Sequence, residues 1–315
     1  MRKGLNLWIV ALLFCVGFPI FSWSQIRLRG QIQNLNPLLS NPSCLGMELF
    51  SEVKAGVTRQ WLGFDGAPAA MHVSVASRAL SASEADRSLG IGGIVFSEQS
   101  GPSSVAGAGF RTAYHIPLVG AFKMGLGTGV DMIQVRFDPT KVVLDNPADL
   151  AFYGNGPNQV WIPSLDAGAL VYSEKLYLST SVRQAIGSRF RLNPVHPVVY
   201  SLRPIFHLQA GGRIPLSTEF EGVGSIGLQS IGAAFWGIDW GVGIQYKRKL
   251  TASVRWRPGD ACVGTLGFGI SRFLQIDYAY EVPLSKIRQS ASGSHVLMVS
   301  VRLGKEKGTT KNYFW

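Results

Sequence analysis

Few residues of this 315-residue chain are arranged to do chemistry. Ser294 and His295 offer a nucleophile and a base, but neighbours in a strand project to opposite faces, so the pair cannot form a dyad. The five histidines, His72, His115, His196, His207 and His295, never fall at HxH or HExxH spacing, and no metal set is read from them. Asp65 has no second carboxylate close by in sequence, which argues against a cation there. Glycines at alternate positions (Gly125, Gly127 and Gly129; Gly241 and Gly243; Gly267 and Gly269) could suggest a dinucleotide turn, yet no helix or ribose-binding acid follows them. No catalytic residue, cofactor or metal is expected. A hydrolase assembled from residues far apart in sequence is the enzymatic reading left open.

Two stretches stand apart from this background. "RQWLGFDGAP", Arg59 to Pro68, sets Gln60, Trp61, Gly63, Phe64, Asp65, Gly66 and Pro68 between two alternating segments. Aromatics on a surface loop cost solubility unless they bind something, so this loop is a candidate partner-binding site. The competing reading has Trp61 ending a strand and Phe64 tucking inward as a brace. The second stretch, Asn34 to Gly46, holds Asn36-Pro37 and Asn41-Pro42 around a Leu38-Leu39 pair. It has turn formers and no strand alternation, so residues 25–50 are expected to enter a barrel mouth as a plug or to meet a periplasmic partner.

The elements around these stretches alternate with period two. From Phe122 to Met132 one parity reads Phe, Met, Leu, Thr, Val, Met and the other Lys, Gly, Gly, Gly, Asp. The same pattern recurs at Val53–Trp61, Met71–Arg78, Tyr200–Gln209, Leu250–Arg257 and Leu297–Leu303. These runs reach about ten residues, the length of a tilted membrane strand, where soluble strands average five or six. Trp61, Tyr114, Tyr172, Trp256 and Tyr280 lie near the strand ends, as aromatic girdles do. The expected fold is all-β, a transmembrane outer-membrane antiparallel barrel over residues 51–303. Glycines on its lumen face leave room for something inside.

Connection lengths set the strand count. Short ones at 116–120, 173–175, 213–217, 247–249 and 270–272 alternate with long ones at 136–163, 184–197 and 282–293, as periplasmic turns and extracellular loops do. About 14 strands fit, and 12 stays open because Phe220 to Trp236 is Gly-rich and poorly periodic. A charge on the lipid face, at Val57 or Leu126, should block assembly far more than Thr58→Asp or Gly127→Ser on the lumen face.

The ends define the compartment. Arg2 and Lys3, an apolar run from Trp8 to Phe18 and Ser22-Trp23-Ser24 read as a signal peptide, residues 1–24, cleaved before Gln25. Cleavage lowers the formal charge from +11 to +9. The remaining Lys and Arg are scattered through the strands, which argues against nucleic acid and leaves outer-membrane lipid as the surrounding partner. Cys44 and Cys262 are too few for a disulfide framework; one bridge is possible, but two inert buried thiols are expected. Residues 304–315 form a basic C-terminal tail.

"NPLLSNPSCLG" (Asn36 to Gly46) followed by "RQWLGFDGAP" resembles the start of the PorP/SprF family of type IX secretion system membrane proteins. "QIDYAYEVPLS" (Gln275 to Ser285) and Gly293-Ser294-His295 are similar to that family's last hairpin. Ser43-Cys44-Leu45 departs from the usual Ala-Tyr-Ala, and the basic tail extends past the last strand. The resemblance implies a non-enzymatic outer-membrane component of type IX secretion and, in some bacteria, of gliding. It further implies secretion or surface attachment of cargo such as adhesins, and partnership with other secretion components including a periplasmic peptidoglycan-binding protein. The alternative from a different class is a passive or hydrophobic-solute outer-membrane channel.

Overall fold

A computed structural model describes residues 31–48, 50–82, 87–142, 158–191, 199–232, 235–247 and 249–304. The signal-peptide reading, cleavage before Gln25 and residues 305–315 of the tail lie outside them, as does His196. Among the described residues no helix is long and apolar enough to cross a membrane. The chain crosses with strands instead.

The first seven are β1 (Ser51–Arg59), β2 (Ala69–Ala82), β3 (Arg87–Ser100), β4 (Ser103–Pro117), β5 (Lys123–Phe137), β6 (Asn158–Tyr172) and β7 (Leu176–Arg183). A separate hairpin follows, β8 (Ser188–Arg191) with β9 (Val199–Leu202). The remainder are β10 (Ile205–Pro215), β11 (Phe220–Ile231), β12 (Phe235–Tyr246), β13 (Leu250–Arg257), β14 (Ala261–Gly269), β15 (Leu274–Pro283) and β16 (Ser294–Leu303). Each barrel strand pairs antiparallel with the next, β7 pairs with β10, and β1 closes on β16 from Ser51↔Leu303 to Arg59↔His295. The result is a closed barrel of 14 strands, so β11 resolves the open count. Closure leaves no backbone edge in hydrocarbon, which is what lets a sheet span a membrane.

The parity reading holds on most strands. Leu126, Val130 and Met132 face outward and are about half exposed, while Asp131 between them is 2% exposed. Met71, Val73 and Val75 face outward, and His72 and Ser74 inward. The short turns are where they were expected, at 173–175 and 247–249 between strand ends. Long connections, both chain ends of the barrel and the loop at 60–68 sort accordingly: the loop shares the long-connection end, and Ser51 and Leu303 share the short-turn end.

Three expectations are corrected. The run from Tyr200 to Gln209 is not one strand: Pro204 has no N–H for the ladder, β9 stops at Leu202, and Leu202 is buried rather than facing lipid. Tyr172 is no girdle residue; it faces the lumen at 2% exposure, where its hydroxyl meets His115 Nδ1 at 3.1 Å. The lumen is also less tolerant than expected. Thr58 is buried, and a Cβ on Gly127 would lie 2.4 Å from the Ser43 nitrogen, so neither Thr58→Asp nor Gly127→Ser fits without a shift.

The lumen is filled in three layers. Nearest the short turns lie helix α1 (Gln31–Leu35) and two 3-10 turns, Pro37–Leu39 and Pro42–Cys44. Midway, Arg111 of β4 bridges Asp131 of β5 and Asp166 of β6 at 3.0 Å each, with Arg183 of β7 at 3.6 Å from Asp166. Toward the long connections, Ile94, Phe96, Val105, Ile133, Val135, Ile162, Val263, Val296 and Met298 point inward and pack with Leu39 from below and Leu202 from the β8–β9 hairpin. An apolar interior of this kind was not expected.

Candidate functional site

The loop between β1 and β2 is pinned at its neck and open at its tip. Gln60 N donates to Pro68 O at 2.9 Å, closing the neck over a buried Pro68. Phe64 N donates to Trp61 O and Ala67 N to Phe64 O, both at 3.1 Å, so the tip is two successive turns. Gly63 (φ +94°) and Gly66 (φ +72°) supply the left-handed backbone these turns need, and Trp61 adopts it too at φ 47°. Phe64 is 47% and Leu62 40% exposed, and Asp65 is exposed with them. The inward-tucked reading of Phe64 is not what the geometry gives.

Neighbouring connections hold the loop. Leu62 N donates to Gly293 O at 2.9 Å, and Ser292 N returns a bond to Leu62 O at 2.8 Å. Trp61 N donates to Ser294 Oγ at 3.3 Å, and Gly101 N to Gly66 O at 2.9 Å. Three connections, β1–β2, β3–β4 and β15–β16, therefore present one surface across the barrel seam. Ser294 spends its hydroxyl there, while His295 faces outward and meets Tyr278 OH at 2.6 Å. The two lie on opposite faces, as adjacent strand residues must.

The second candidate set sits elsewhere. Asn36 is 2% exposed and its Nδ2 donates to Ser74 Oγ at 2.8 Å. Asn41, also 2% exposed, donates to Ser179 Oγ at 2.8 Å, Thr180 O at 3.1 Å and Ala169 O at 3.3 Å, while its Oδ1 accepts from Ser43. Pro37 and Pro42 open the two 3-10 turns, where a missing N–H costs nothing. These four residues are engaged with the barrel wall and are not brought together with the loop at 60–68.

Wall side chains also read the segment's backbone. Lys54, Ser181 and His115 donate to the carbonyls of Leu35, Ser40 and Leu45, and Arg78 donates to those of Gly46 and Met47 at 2.9 and 2.7 Å. Glycine makes the approach possible: a Cβ on Gly168 would lie 1.9 Å from Asn41 Oδ1, and one on Gly90 2.4 Å from the Leu45 carbonyl. A cavity of about 140 Å³ remains between the segment and the wall from β11 through β16 to β1 and β2, lined by Glu52, Lys54, Gln275, Asp277 and Arg302 among others. Cys44 and Cys262 are free thiols, and burial pushes the Cys44 thiol up. Among the described residues no cluster of three His, Cys, Asp or Glu is placed to hold a metal.

Sequence reading missed the loop's partner at 284–293 and the Arg111 cluster. The second was accessible in principle, because Asp131 and Asp166 fall on lumen parity, where an unpaired carboxylate has no stable place.

A family model described as type IX secretion system membrane protein PorP/SprF matches residues 25–301. The chain belongs to that family. This PorP/SprF chain is accordingly an outer-membrane β-barrel of the type IX secretion system. Comparison with curated proteins finds no match. Solved outer-membrane proteins are similar to it at low identity. The CymD monoaromatic hydrocarbon channel is 12% identical with a TM-score of 0.51, over 85% of this chain and 92% of that one. A Pseudomonas aeruginosa FadL homologue is 11% identical with a TM-score of 0.49, over 86% and 92%. Omp33 of Acinetobacter baumannii is 8% identical with a TM-score of 0.47, over 82% and 100%.

Proposed function

We propose that this PorP/SprF barrel is a non-enzymatic docking component that supports secretion or surface attachment of a protein cargo such as an adhesin. The observation that carries the reading is the exposed tip Leu62–Gly66, stiffened by main-chain bonds to two neighbouring connections. A pre-organised aromatic beside a charge is the composition of an interface hot spot. By the rule that long connections lie outside, this surface faces the cell exterior, where cargo is held. The opposite end, carrying the short turns and the entry to the N-terminal segment, is the end available to periplasmic components, a peptidoglycan-binding protein among them. The apolar packing around Phe96 and Leu202 inside the barrel supports docking over the passage of polar solutes.

The test is Phe64→Ala with Asp65→Ala. Both side chains are exposed, so the barrel should remain folded and abundant while export or surface retention of cargo falls at least tenfold. A matching fall in barrel abundance would show a bracing role instead. Normal cargo handling at normal abundance would remove the loop from the functional account.

A further inference from the structure

Beside this loop, on the outer wall rather than the top, polar side chains stand where a membrane strand leaves hydrocarbon. Arg59 ends β1, is exposed, and pairs in register with His295, which pairs in turn with Tyr280. Directly paired residues share a face, so all three point outward. One step toward mid-membrane on the same face lie Val57 and Leu297, 49% and 44% exposed, with Tyr278 beside Leu297. The wall thus changes from aliphatic to aromatic to cationic within two residues of the β1 terminus. Lys286 and Arg288 are exposed on the connection above.

The local bonding points the donors outward. Tyr278 OH lies 2.6 Å from His295 Nδ1. A phenol donating there leaves the ring proton on Nε2, the other side of the imidazole. The Tyr280 ring flanks the imidazole at 4.9 Å between centroids, and its own hydroxyl is spent on Ser292 O. Among the described residues the ion pairs of β1 are made by Glu52 and Lys54, on the lumen side at the far end of the strand. Arg59 and His295 thus stand as register partners on one outward face, the imidazole framed by two phenol rings, at headgroup depth.

We propose that Arg59 and His295, positioned by Tyr278 and Tyr280, form a binding site for the phosphate of an outer-leaflet lipid. A guanidinium fork matches phosphate geometry, and interfacial aromatics pack against the lipid's glycerol or sugar and upper acyl carbons. The occupant is a lipid rather than a soluble anion because Val57, Leu297 and Tyr278 continue the site downward into hydrocarbon. One consequence is that a specific lipid borders the seam strands directly below the loop at 60–68.

Full-length protein in detergent, titrated with lipid A and read by native mass spectrometry, tests this. Wild type should hold one lipid A tightly, with Arg59→Ala plus His295→Phe weakening it about tenfold. Arg136→Ala serves as control, because Arg136 is exposed near the outer end of β5 beside Ser104 and Gln159, without the imidazole and phenols; it should leave that affinity unchanged. Arg59→Gln provides a second variant of nearly native shape should the double substitution fold poorly, and it too should weaken binding. Equal binding by wild type and variants overturns the proposal, as does equal binding of dephosphorylated lipid A. Full displacement by millimolar inorganic phosphate would make the site one for a free anion and overturn it as well.

Discussion

Gly168 and Arg111 show how little slack individual positions have. A Cβ on Gly168 would overlap the Asn41 amide, whose bonds anchor the segment to the wall. Gly168→Val should therefore destabilise the folded barrel by about 1–3 kcal/mol, the usual cost of overpacking. Gly264→Ala is the matched control, since nothing lies within 4 Å of its Cβ position; midpoints of unfolding in urea would compare them. Arg111 is 1% exposed and serves two carboxylates that are 2% and 1% exposed. Arg111→Ala takes the ion pair from Asp131 and leaves Asp166 with Arg183 and the Gln184 N–H, and removing one partner of a buried ion pair costs about 3–5 kcal/mol. The same urea midpoint should fall further for Arg111→Ala than for Gly168→Val.

At the level of elements, the N-terminal segment is held by hydrogen bonds to its backbone and by two asparagine keys. Asn41→Ala removes three donations to the wall and orphans Ser179 Oγ inside a buried site. Cys44, three residues on and packed beside Leu170, Tyr172 and Met47, reports the result. With Cys262→Ser as background, maleimide labelling of Cys44 should be slow in the parent and at least tenfold faster in Asn41→Ala, read as an adduct by mass. Unchanged labelling would mean that the remaining carbonyl contacts hold the segment alone. The asparagines were visible in the sequence as turn formers; their wall partners, 38 residues away for Asn36 and 138 for Asn41, were not, because nothing local encodes which lumen serines face them. The loop at 60–68 was more legible, since exposed aromatics among glycines announce a turn, although its bonds to 284–293 follow from barrel closure alone.

For the whole molecule, strand frame and interior differ in how far they could be read. Leu126 beside Gly127 declares a face, and repeated across the chain such pairs yield a barrel of about 14 strands. Gly93-Ile94-Val95-Phe96 is apolar on both parities, so its alternation is silent and the inward pair Ile94 and Phe96 stays hidden. Those hidden residues belong to the apolar layer inside the lumen. Reconstituted in a planar bilayer, the full-length protein should show no stepwise ionic conductance, because ions crossing the apolar layer around Phe96 and Leu202 would have to shed water. Stable openings of porin size would contradict that layer.

The strands are not of one length. β2 to β6 run 14 or 15 residues, whereas the consecutive strands β13, β14, β15, β16 and β1 run 8 to 10. At about 3.3 Å per residue and a tilt near 40°, the long side stands roughly 38 Å tall and the short side roughly 23 Å, against an apolar band of about 25 Å. A bilayer of one thickness cannot match both. The long side carries a parapet beyond the headgroups, and lipids along the short side must thin to meet it, at a fraction of a kcal/mol per Å. That elastic cost falls when another membrane protein of low profile replaces the thinned lipid. The barrel is thus a directional object in the plane of the membrane, with neighbours drawn to the flank from β13 through β16 to β1 and held off the β2–β6 flank by bilayer mechanics alone.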